Sequence, residues 1–216
     1  YSLRTNGDYK ITKIEDGITD ISENFLVTDY LVLGKDCQKI GQVAAKIAYE
    51  VDPKNSTYAS YDNCLYTKDY KKLIRTYRQS EVPQFHSSLS VIGDQALCMT
   101  DIQNLEIVIP WGVTAIEGAL FRGAGHGSGP NCRVILPETL LKWNGESGGG
   151  EWKTITFLFQ EGSQVFKGGY GTGEQYRALP KEEYNAIYGI IPNSLKTFQN
   201  GKTYYFDQNC KMAKGW

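Results

Sequence analysis

The residues whose spacing could support catalysis are few. In "NGESGGG" (144–150), Gly145, Ser147 and Gly149 fit G-x-S-x-G, the pattern of a hydrolytic nucleophile. That chemistry needs the serine on a tight strand-to-helix turn, with a histidine and an acid brought alongside. Here glycines and then a strand-like run follow Ser147, and neither His86 nor His126 stands where a partner is suggested. A motif this short matches by chance, so the segment reads as a loop. "GAGHGSGP" (123–130) and "KGGYGTG" (167–173) are glycine-rich but fit neither G-x-G-x-x-G nor a Walker pattern. In such a loop His126 reads as a solvated turn residue. The cysteines, Cys37, Cys64, Cys98, Cys132 and Cys210, form no C-x-x-C pair, so a zinc site is not expected. Their odd number argues against a fully paired disulfide framework, and they read as small buried apolar residues. No catalytic residue, metal or cofactor is expected, and the chain reads as non-enzymatic.

Composition narrows the remaining possibilities. The 216 residues are 41% hydrophobic and 22% charged, as in an ordinary globular protein. A net charge of -1 and a pI near 6.2 leave no electrostatic footprint for nucleic acid or an acidic membrane surface. No apolar run approaches the roughly 18 residues of a membrane span. With no starting Met and no signal peptide, the sequence reads as a mature or trimmed chain. Fifteen Tyr, 23 Gly and only 2 Met favour β-structure with many turns.

The elements are organised by an internal echo. "LEIVIPWGVTAIEGALF" (105–121) overlays "LVLGKDCQKIGQVAA" (31–45), placing Ile107, Ile109, Val113 and Ile116 on Leu31, Leu33, Cys37 and Ile40. Apolar residues at +4 and +7 from a strand end recur as Ile14/Ile18/Ile21, Leu33/Cys37/Ile40, Phe85/Leu89/Ile92, Ile109/Val113/Ile116, Leu136/Leu140/Trp143 and Ile191/Leu195/Phe198. Pro110, Pro137 and Pro192 follow three of these strands. Runs at 47–51 and 155–159 fit less completely. Alternation puts two side chains of each strand on one face. Proline, lacking an N–H, ends the strand, and the +4/+7 pair suits a turn or 3₁₀ segment folding back over it. One such unit cannot bury its apolar side, whereas stacked units share a continuous core. The chain is therefore predicted to be a mainly β (α+β) solenoid. Its expected form is a right-handed superhelix with a parallel sheet on the concave face and turns or 3₁₀ on the convex side.

The motif L-x-I-x-I-P-x-x-V-x-x-I-x-x-x-A/L-F resembles the leucine-rich repeats of BspA-like bacterial surface proteins. The segment 50–77 resembles a signature insertion of that family, in which "DPxNxxY" precedes a "G-x-L-Y" strand and a strand ending in "L-I". Asn63-Cys64-Leu65-Tyr66 stands where the family has Asp-Gly-x-Leu-Tyr, which alters the turn. The resemblance covers about 9–198 and fades after Glu161. It implies a secreted or cell-surface, non-enzymatic protein of a Gram-positive bacterium, working in adhesion or protein binding.

The tail "GKTYYFDQNCKMAKGW" (201–216) resembles one unit of the cell-wall-binding repeats of choline-binding proteins, glucan-binding enzymes and clostridial toxins. The resemblance implies a β-hairpin with Thr203 to Phe206 as first strand, "DQNCK" as turn and Cys210 in place of the turn glycine. If that turn needs positive φ, cysteine there costs about 1 kcal/mol. It also implies that Tyr205 and Trp216 are the aromatic contributors to a choline or sugar site. A single unit supplies part of such a site, so a cap on the solenoid end is the favoured reading.

The expected organisation is a solenoid over 1–198, with a hairpin insertion at 52–77 and an irregular segment at 161–189, then the single repeat at 199–216. The predicted concave row is Lys13, Val32, Glu50, Gln84, Val108, Ile135, Leu158 and Ile190, polar early and aliphatic late. Its apolar part, Val108, Ile135, Leu158 and Ile190, is either a ligand surface or covered by 161–189 or the tail. The expected partner is a protein or host-surface ligand, with cell-wall polysaccharide or choline as the alternative.

Overall fold

The computed structural model describes residues 2–6, 9–77, 81–97, 105–121, 132–143, 155–162 and 176–213. The G-x-S-x-G segment, both glycine-rich loops, His126, Cys98 and Trp216 lie outside these residues.

The chain is a repeat of stacked coils whose strands pair mostly in parallel, as the echo predicts. The first sheet holds β1 (Ser2–Asn6), β2 (Tyr9–Ile14), β3 (Asp20–Leu33) and β4 (Lys39–Val51). β1 is antiparallel to β2, and β2, β3 and β4 are parallel. Ile14, Leu31, Leu33 and Tyr49 alternate inward and are fully buried. A tight turn follows each strand. Gly34 is required at one of them, because a Cβ there would lie 2.6 Å from the Ile14 carbonyl oxygen of the preceding coil.

After the turn the chain forms a short second strand. Ile21 pairs with Ile40, and irregularities before Phe25 and Tyr30 then bend β3 around the corner. Farther along, in a separate sheet, β7 (Lys72–Arg75), β8 (Val91–Ile92) and β10 (Ala115–Ile116) form a second such ladder in parallel, extended by a bridge from Ala115 to Lys142. Of the turn and 3₁₀ alternatives the coils take the turn. The β-branched isoleucine at +7 then sits in a ladder, where its stiff side chain packs well.

The insertion comprises β5 (Tyr58–Tyr61) and β6 (Cys64–Thr67), an antiparallel pair that leads into β7. Asp62 and Asn63 hold φ of 44° and 59°, so the altered turn is made by two residues that tolerate the left-handed region. The "DPxNxxY" signature works structurally. Buried Asn55 donates to the carbonyls of Gly34 and Cys37 at 2.8 and 2.9 Å and accepts from the Thr57 and Tyr58 amides, both at 2.8 Å. The Tyr58 hydroxyl reaches the Gln38 carbonyl at 2.9 Å. Together they tie the insertion to the preceding coil.

The concave sheet resumes as β9 (Glu106–Val108), β11 (Cys132–Ile135), β12 (Ile155–Gln160) and β13 (Tyr176–Leu179), all parallel. The interior is lined by Ile107, Ile109, Val134, Leu136 and Phe157. Pro180 then starts α1 (Lys181–Tyr188), with Glu182 and Glu183 in its first turn, suited to a helix N-terminus. Gly189 at φ 63° ends it, its N–H bonding Ala186 while that of Ile190 bonds Asn185. Last come β14 (Ser194–Thr197) and β15 (Thr203–Phe206), an antiparallel hairpin extended by a bridge from Phe206 to Met212.

This corrects one reading of the repeat. Ile191, Leu195 and Phe198 are not a sixth coil: Ile191 and Leu195 are 64% and 70% exposed, and 194–197 is a hairpin strand. No helix among the described residues is long and apolar enough to cross a membrane.

Candidate functional site: the inner face and its cover

The strand register sets six of the eight residues of the predicted row side by side, in two groups. Lys13, Val32 and Glu50 are neighbours on one rung, and Val108, Ile135 and Leu158 on another. The member after Leu158 is Arg177, not Ile190. Ile190 lies beyond the end of α1 and is buried in the cluster beneath it, because the chain folds back through a helix before reaching it. Gln84 is exposed in a segment without a ladder, its N–H donating to the Asp62 carboxylate at 2.6 Å.

The two rungs have different environments. Ile135 has no exposed surface, Leu158 keeps 4%, and Val108 is half-buried. Over them lie α1 and the terminal hairpin. Tyr184 and Tyr188, one helical turn apart, both face down onto the sheet. The Tyr184 hydroxyl donates to the Leu136 carbonyl at 2.9 Å, and that of Tyr188 contacts the carbonyls of Ile109 and Ile135 at 2.9 and 3.3 Å. Burial raises the pKa of both hydroxyls, which keeps them as neutral donors. Phe206 is fully buried beside them. Val108, Ile135 and Leu158 thus form core beneath a cover built from the chain itself.

Trp111, directly after the strand-ending Pro110, joins the cover to the coils. Its ring stacks on Phe198 at 4.6 Å and 8°, and meets Tyr188 and Phe206 edge-on at 5.2 and 5.7 Å. Gly112, at φ 105°, lies against the Asn200 side chain in the hairpin turn and has no room for a Cβ. In the first half the row remains accessible. Lys13 and Glu50 are exposed, while Ile11, Tyr30 and Val32 are half-buried. Asp29 at its margin accepts the Lys10 amide at 2.6 Å, which with Lys46 nearby holds its carboxyl below the usual range.

Thr203–Phe206 is a strand as expected, but it is the second strand of a hairpin with Ser194–Thr197 and not the first of a separate unit. The turn after it, with Cys210 at φ 53°, returns to a single bridge from Phe206 to Met212. Tyr205 pairs with Leu195 on the face turned away from Phe206. Trp216 lies outside the described residues. His86 stacks on Tyr70 at 4.1 Å, meets Tyr61 edge-on at 4.9 Å, and accepts the Ser88 amide through Nδ1 at 3.1 Å. Its surroundings are tyrosine rings and a turn, and burial lowers its pKa. Among the described residues no group of three or more His, Cys, Asp or Glu could hold a metal ion.

These features define a repeat solenoid whose inner sheet is half open and half sealed. Neither a protein-family pattern nor any curated protein matches the chain. Two solved structures resemble it. A leucine-rich repeat protein from Eubacterium ventriosum is 15% identical, with a TM-score of 0.42, covering 78% of this chain and 54% of that one. The pneumococcal vaccine antigen PcpA is 13% identical, with a TM-score of 0.27, covering 74% of this chain and 58% of that one. The chain thus corresponds to little more than half the length of either.

Proposed function

We propose that this chain is a non-enzymatic, BspA-like surface protein that binds a protein partner through the open first half of its inner face. The observation that carries the reading is the division of that face. Ile11, Tyr30 and Val32 form a half-exposed apolar strip flanked by Lys13 and Glu50, while the later rung is filled by the chain itself. Apolar side chains with charges at their margin match the usual anatomy of a protein interface. Secretion and a cell-surface location rest on the two sequence resemblances.

The test is binding to cultured host cells by flow cytometry, comparing the full chain with Val32→Glu and Glu50→Lys. A loss of about tenfold or more supports the reading, since a charge forced into an interface core costs more than 1.4 kcal/mol. Unchanged binding by both variants contradicts it. A second reading, a cell-wall module with the solenoid as spacer, is favoured by Tyr205 lying on the outward face of the hairpin. It requires the chain to sediment with purified Gram-positive walls and Tyr205→Ala to release it.

A further inference from the structure

Where the cover meets the coils, Phe85, Val108, Trp111, Tyr188, Lys196 and Phe198 line a groove of about 340 Å³. Trp111 is only 2% exposed and its Nε1 is buried, so the indole gives the groove apolar ring surface and no donor within reach. The Lys196 ammonium has no carboxylate partner among the described residues. It lies 5.8 Å from the Phe198 ring centroid and close to Gly189, at the end of α1. The negative end of a helix offsets part of that charge, about half an elementary unit at most.

An apolar wall beside an unpaired cation selects an occupant that has an apolar body and carries an anionic group next to it. A sugar fits less well, because Phe198 already covers one face of the Trp111 ring and aliphatic Val108 forms part of the wall. We propose that this groove is a second docking point for the partner protein, taking an apolar side chain that stands next to a carboxylate. The inference rests on the protein-binding reading and adds the chemistry of one contact.

N-acetyl-L-leucine and its neutral analogue N-acetyl-L-leucinamide are the probes, titrated against the ¹⁵N-labelled full chain while the indole N–H signals are followed. Trp111→Phe, which keeps a ring against Phe198, assigns the Trp111 signal. The carboxylate should shift that signal saturably at millimolar concentration, as expected for so few atoms, and bind about fivefold tighter than the amide. Lys196→Met, a change on a half-buried hairpin side chain, should erase that preference. The proposal is overturned by no saturable shift up to tens of millimolar, by equal response to the two probes, or by tighter binding of D-glucuronate, which would make the groove a sugar site. Failure here with cell binding still lost in Val32→Glu removes the groove and leaves the inner-face reading intact.

Discussion

The two halves of the inner sheet use the same strand geometry to opposite ends. Lys13, Val32 and Glu50 occupy the positions that Val108, Ile135 and Leu158 occupy farther along, yet the first rung meets solvent and the second meets Tyr184, Tyr188 and Phe206. What differs is the side chains. A rung with charges at its ends is stable uncovered, whereas three aliphatic residues in line would leave a sheet face exposed. The chain supplies its own cover for that face, and a repeat array needs such closure at its end.

Deleting 199–216 should break this contrast most severely. It removes β15 and Phe206 and uncovers Trp111, Ile135 and Leu158, at a cost above about 5 kcal/mol. Calorimetry should then show a lost or fragmented transition, so wall binding by such a truncation would report unfolding and not ligand contact. Tyr188→Ala should cost about 3–5 kcal/mol in denaturant unfolding, as it empties a core site and strands the Ile109 carbonyl. Asn55→Ala is the counterpart in the open half. With four hydrogen bonds lost in a buried site, about 3 kcal/mol is expected, and proteolysis should begin near 52–58. Gly112→Ala should cost about 1–3 kcal/mol, since the residue is held at φ 105° against Asn200. Because the defect lies in the seam, amide exchange should quicken in β14 and β15 before the first sheet.

The smallest effect concerns pH. His86 has a folded pKa below its ordinary value because burial disfavours the charged ring. The unfolded chain therefore takes up this proton first. The His86 contribution is complete above about pH 6.5 and is lost as pH falls through the folded value. A melting temperature that drops between pH 7 and pH 5, with a shallower slope in His86→Phe, is the expected result. The carboxyls of Asp16, Asp20 and Asp29, held below the usual range, act only at lower pH.

The coils were legible because they repeat. Offsets of +4 and +7 from a strand end reflect one packing solution, so Ile14/Ile21, Leu33/Ile40 and Ile109/Ile116 could be placed without knowing the neighbours. The same rule misassigned Ile191, Leu195 and Phe198, since a short apolar run carries no sign of whether its strand pairs in parallel or as a hairpin. The signal against it was "QNGK" after Phe198, a hairpin turn with Gly201 at φ 73°. α1 was legible in principle: Pro180 precedes it, acids open it, Tyr184 and Tyr188 share a face, and Gly189 stops it. Placing Ile190 on the concave row followed from missing that helix and the 176–179 strand before it. That Val108, Ile135 and Leu158 are covered depends on where a non-repeating segment returns, and no local pattern fixes that.

The central claim is that 180–213 is part of the fold and closes the second half of the inner sheet. Native-state hydrogen exchange tests it most directly. If the claim holds, the amides of β14, β15 and α1 open together with those of β11 and β12, at one free energy. Exchange of the hairpin and helix several kcal/mol more easily than β11 and β12 would contradict it, leaving Val108, Ile135 and Leu158 as an accessible surface.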